Sequence, residues 1–136
     1  MFAGWEVDTM TQLDGFIPFD FSEGVPYVSV TNNGITFNKS VVKKLGCPNF
    51  VVFLINRDDK KIAVQCCSEE TQNSVAFYKP RKNDVFSVRW NGKDLLNTIQ
   101  DITGWDLKQD SYRVEGILLR DEKAMLFDLN KAYLLK

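Results

Sequence analysis

NGITFNKSVVKKLG (Asn33 to Gly46) returns 58 positions later, similarly built, as NGKDLLNTIQDITG (Asn91 to Gly104). The first copy reads as a turn followed by a helix. Asn32, Asn33 and Gly34 accept the positive φ of a tight turn, and Asn38 carries the short polar side chain that caps a helix start. A helix over residues 39–45 puts Val41, Val42 and Leu45 on one face and Lys39, Lys43 and Lys44 on the other. Gly46 is placed to end that helix, and Pro48 prevents its continuation. Upstream, Tyr27 to Val30 alternates as a strand does. Downstream, Phe50 to Ile55 is a short apolar run of β-formers, NRDDK (Asn56 to Lys60) is a turn, and Lys61 to Cys67 is the returning strand.

The second half repeats this order. Val85 to Trp90 is the expected strand and Asn91-Gly92 the turn. Lys93 to Thr103 is the helix, with Leu95, Leu96, Ile99 and Ile102 on one face, and Gly104 ends it. Tyr112 to Leu119, the turn RDEK (Arg120 to Lys123) and Ala124 to Asp128 make a second hairpin. Val28-Ser29-Val30 aligns with Phe86-Ser87-Val88, Gly34 with Gly92, and Gly46 with Gly104. Arg57-Asp58 aligns with Arg120-Asp121 at an offset of 63, so the second copy carries five further residues around WDLKQDSY. Shared order and shared turn chemistry point to an internal duplication.

A unit of roughly 40 residues buries too little apolar surface to offset its conformational entropy, whereas two units closing on each other can. The expected organisation is therefore an aromatic, acidic N-terminal arm over residues 1–26, a repeat over 27–67, a connector over 68–84 and a divergent repeat over 85–136. The two repeats are expected to share one core. SVAFY, in the connector, has the composition of an additional strand. The fold class is α+β and β-rich.

With 44% apolar and 26% charged residues in a chain of 136, the composition is that of a globular domain. The longest apolar run, Phe50 to Ile55, is far short of the roughly 20 residues of a membrane-spanning helix. No basic residue precedes Lys39, so the N-terminal stretch does not read as a secretory leader, and three cysteines, two of them adjacent, fit a reducing cytoplasm. Net charge is −1 but segregated. Residues 1–38 carry five acids and no base, 39–93 carry eleven bases and five acids, and 94–136 carry six bases and eight acids. Such asymmetry points to a charged partner or an internal acid-base contact.

Val28 to Gln65 resembles the swapped-hairpin domain of the AbrB-type transcription regulators, a fold shared with MazE-like antitoxins and, as a tandem pair, with MraZ-like proteins. The resemblance rests on a glycine turn, a strand entering a short helix that ends KKLG, and an apolar hairpin around an acidic turn. It implies an intertwined, swapped-hairpin barrel built here as a pseudo-dimer within one chain. It also implies duplex DNA bound on a basic surface of strands and turns. Two positions depart from the family pattern: Ile35 replaces a basic residue after the turn glycine, and Asn38 replaces a proline at the helix start.

The basic residues that would provide such a surface are Lys39, Lys43 and Lys44 on the first helix, and Lys79, Arg81, Lys82, Arg89 and Lys93 from the connector into the second copy. Arg57, Lys60 and Lys61 lie on the first hairpin, whose tip also carries Asp58 and Asp59. Phosphate contacts need several such cations converging. Solvation of an outer helix face accounts for the same lysines, so the alternative function is a protein-interaction or assembly module, including a homodimer. An enzyme is not expected. The chain has no histidine, no Cys-x-x-Cys and no phosphate-binding glycine loop, and its paired carboxylates fall in turns or the connector. No cofactor or metal is implied.

Overall fold

A computed structural model describes residues 15–17, 24–83 and 85–135. Most of the N-terminal arm, with the expectation attached to it, lies outside the described residues. The strands are β1 (Tyr27–Thr31), β2 (Gly34–Phe37), β3 (Phe50–Asn56), β4 (Lys61–Cys67), β5 (Ser74–Ala76), β6 (Val88–Trp90), β7 (Ser111–Leu119), β8 (Ala124–Asp128) and β9 (Tyr133–Leu135). Helix α1 is Lys39–Lys44, α2 is Lys93–Thr103, and a 3-10 turn at Leu129–Lys131 separates β8 from β9.

The described strands form one antiparallel sheet in the order β5-β3-β4-β8-β7-β1-β2-β6, with β9 also on β7. Arg113 faces Ser29 on one edge of β7 and Tyr133 on the other, so β8 and β9 lie in succession along the edge opposite β1. The sheet curls into a half-barrel, and its inner side takes the alternate residue of each strand. Val28, Phe37, Val88 and Val114 form one buried cross-strand row, and Val30 and Ile35 continue it with Trp90 and Tyr112. Val51, Ile62, Val64, Met125 and Phe127 line the other half of the same interior. Val41 and Val42 of α1 and Leu96, Ile99 and Ile102 of α2 belong to that same buried cluster.

Local chemistry explains where the elements begin and end. The Asn38 carboxamide oxygen accepts from the Val41 amide at 3.2 Å and from the Tyr27 amide at 3.0 Å, while its nitrogen donates to the Val25 carbonyl at 2.8 Å. One side chain thus starts α1 and holds the entry to β1 against it. Gly46 takes φ +84 just after the helix and Gly104 takes φ +79 at the end of α2, the left-handed conformation that glycine adopts without penalty. SVAFY does add a strand, β5. Beyond it the Phe77 amide donates to the Asn49 carbonyl at 2.8 Å and the Tyr78 amide to Pro48 at 3.0 Å, which continues the edge alongside β3.

Other elements differ from expectation. The strand expected from Val85 is confined to Val88–Trp90, because Phe86 turns away to stack on Tyr78 with ring centroids 5.5 Å apart. The first turn is followed by β2, whereas Asn91-Gly92 leads straight into α2. The short strand β9 has no counterpart among the expected elements. It exists because the 3-10 turn, whose Asp128 carboxylate accepts from the Asn130 amide, returns the chain to the free length of β7.

Candidate nucleic-acid interface

Ladder register decides which side chains share the outer side of the sheet. Arg89 pairs with Thr36, Thr36 with Ser29, Ser29 with Arg113, and Arg113 with Tyr133. Their neighbours Val88, Phe37, Val28 and Val114 are buried, so these five residues point outward together. Strands lie about 4.8 Å apart, which sets the Arg89 and Arg113 backbones roughly 14 Å apart with two small hydroxyl side chains between them. Arg89 is exposed. Arg113 is half-buried, its guanidinium 3.9 Å from the centre of the Tyr27 ring, and its Nε is buried with no hydrogen-bond partner among the described residues. The row that results has a cation at each end, an aromatic ring against one of them, and Ser29 and Thr36 between; guanidinium and hydroxyl groups donate to phosphate oxygens.

A second basic group forms on α1. Lys39 and Lys43, one turn apart, set their ammonium groups 5.8 and 4.6 Å from the centre of the Phe86 ring. Phe86 is stacked nearly parallel on Tyr78, and Lys79 follows Tyr78 at the rim of a 380 Å³ cleft with Asn49, Phe50, Ser68 and Glu69. The retreat of Phe86 from the β6 ladder therefore creates the platform that gathers the α1 lysines. The remaining candidates are dispersed. Arg81 and Lys82 are exposed on the connector. Lys44 lines a 130 Å³ depression with Leu118, Arg120 and Lys123. Lys93 opens α2 and faces a 360 Å³ groove with Asn32, Asn97, Gln100 and Lys108.

The eight sequence-predicted cations thus do not form one patch. Arg89 joins the sheet row, Lys39 and Lys43 the aromatic platform, and Lys44 the rim of the second hairpin turn. Sequence reasoning missed Arg113, Arg120 and Lys123. The turn sequence RDEK, with a base at each end, was the available signal for the last two. For Arg113 there was none, because its place opposite Ser29 follows from long-range pairing. Cys66, behind that hairpin rim, has its thiol pKa raised by burial, an effect that Lys123 opposes only in part. Among the described residues no three or more Cys, Asp or Glu side chains are grouped to hold a metal ion, and no helix is long and apolar enough to cross a membrane. No protein-family model matches the chain, and comparisons with curated proteins and with solved structures give no significant match.

Proposed function

We propose that this protein is a non-catalytic DNA-binding regulator of the AbrB and antitoxin type, which contacts duplex DNA through the outer row Arg89–Thr36–Ser29–Arg113. The observation carrying this reading is that row: two arginines on one outer face of the sheet, spaced by small hydroxyl donors. Lys39 and Lys43 on their aromatic platform form a separate basic group. In this reading the hairpins β3–β4 and β7–β8 are the corresponding parts of two tandem units. The direct ladder between β4 and β8, which sets the hairpins side by side, supports that view.

Fluorescence anisotropy with mixed-sequence duplex DNA tests it. Two phosphate contacts give a slope of about −1.8 in log K against log salt, so affinity is expected to fall about tenfold between about 50 and 200 mM salt. A second reading, an assembly module without nucleic-acid binding, is favoured by the apolar outer side of β3, β4, β8 and β7. No measurable binding at low salt would select it.

A further inference from the structure

The outer side of the sheet changes character along β7. Arg113 and Glu115 point outward from its first half, and Ile117 and Leu119 from its second. There the register aligns Leu54, Ala63, Leu126 and Ile117 in one cross-strand row over β3, β4, β8 and β7. Leu54 is 43% exposed and Ile117 54% exposed, at the two ends of the row. The next row on the same side runs Val52, Gln65, Ala124, Leu119, and the row beyond Leu54 runs Asn56, Lys61, Asp128. Ala63 and Leu126 are half-buried between those two exposed ends and Ala124 of the next row is buried, so the row from Leu54 to Ile117 is apolar throughout, where the solvated face of a sheet ordinarily carries polar residues.

We propose that this face binds a second copy of the same chain, face to face, about a two-fold axis parallel to the strands and lying over the β4–β8 seam. The pattern is self-complementary about that axis. The rotation exchanges β3 with β7 and β4 with β8, so Leu54 meets Ile117 of the second copy and Ala63 meets Leu126. Val52 meets Leu119. Lys61 meets Asp128 of the second copy while keeping its own Asp128 beside it, which makes a four-charge cluster of alternating sign. No like charges face each other in these three rows, and each small residue, Ala63 or Ala124, lies opposite a longer one. Such matching of one patch to itself is what an isologous contact requires.

The footprint sets the strength. Four strands about 4.8 Å apart and three rows about 7 Å apart cover on the order of 400 Å² per copy, about half that of a standard interface. A footprint of that size fits a weak, concentration-dependent dimer. This inference does not depend on the nucleic-acid reading, because the Arg89–Arg113 row lies on the other half of the sheet.

Sedimentation velocity over a concentration series, with two exposed-site variants, tests it. The unaltered protein is expected to pass from monomer to dimer. Leu54→Lys and Ile117→Glu, each alone, are expected to stay monomeric at the highest concentration. Mixed one to one, they are expected to recover the dimer, since the introduced lysine then faces the introduced glutamate while the unaltered Ile117 and Leu54 still meet. Far-UV circular dichroism confirms that each variant is folded. An unaltered protein that is monomeric throughout overturns the proposal without touching the DNA reading. So does a single variant that still dimerises, or a mixture that stays monomeric.

Discussion

The indole nitrogen of Trp90 donates to the Ala76 carbonyl at 3.3 Å, joining β6 to β5, the two ends of the strand order. The same indole meets the rings of Phe37, Phe53 and Phe77 at centroid distances of 5.0 to 5.9 Å. One side chain therefore spans the gap in the half-barrel and packs against both halves of the sheet. Trp90→Ala is expected to cost about 3–5 kcal/mol, and Trp90→Phe, which keeps most of the packing and loses the donor, about 1 kcal/mol. Urea unfolding followed by circular dichroism checks both; a loss under about 1 kcal/mol for Trp90→Ala would mean that the gap is not held there.

Gly34 and Gly92, which align in sequence, have opposite tolerances. A Cβ on Gly34, where φ is +146, would come within 2.6 Å of the Trp90 carbonyl oxygen, whereas one on Gly92 would meet nothing within 4 Å. The Gly34 obstacle is backbone and cannot rotate away. Gly34→Ala is expected to destabilise by about 2 kcal/mol or more and Gly92→Ala by under about 0.5 kcal/mol, by the same unfolding measurement.

Asn38 provides more than a helix cap. Removing its side chain leaves the amides of both Val41 and Tyr27 without their acceptor. Asn38→Ala is expected to cost about 2 kcal/mol, around twice an ordinary cap. Asn38→Asp keeps the acceptor and loses only the donor to Val25, so it is expected to recover more than half of that loss.

Cys66 gives a pH dependence. Burial raises its thiol pKa, and the thiol donates to the Leu45 carbonyl at 3.4 Å. A raised folded-state value favours the neutral form in the fold. The contribution is fully present below the unfolded thiol value, about 8.5, and is lost as pH rises through the higher folded value. Between about pH 8 and 10 the unaltered protein is expected to lose more stability than Cys66→Ser. In disulfide-exchange labelling at neutral pH, Cys66 is expected to react more slowly than Cys47 and Cys67, and the slow phase should vanish in the Ser variant.

Local signals in the sequence located the helix at Lys93–Thr103, the Asn38 cap, the terminating glycines Gly46 and Gly104, and both long hairpins. Each depends on residues within a few positions of one another. Pairing between distant segments was not legible. Nothing near Ser29 reveals that it lies between Thr36 and Arg113, so the arginine row is not legible in the sequence and Arg113 carries no local signal. The expected strand from Val85 is longer than the observed one for a related reason: Phe86 fits a strand by type, and only the position of Tyr78 draws it away. Gly34 and Gly92 look equivalent as letters because the Trp90 carbonyl that separates them comes from elsewhere in the chain.

The most direct test of the proposed DNA contact is anisotropy of the double variant Arg89→Gln with Arg113→Gln, read against Arg57→Gln at the exposed hairpin tip. Removing two phosphate contacts is expected to weaken binding at least tenfold at low salt and to make the salt slope shallower by about 2, while Arg57→Gln leaves both unchanged. A double variant that binds as tightly and as salt-dependently as the unaltered protein would contradict the assignment of the Arg89–Arg113 row.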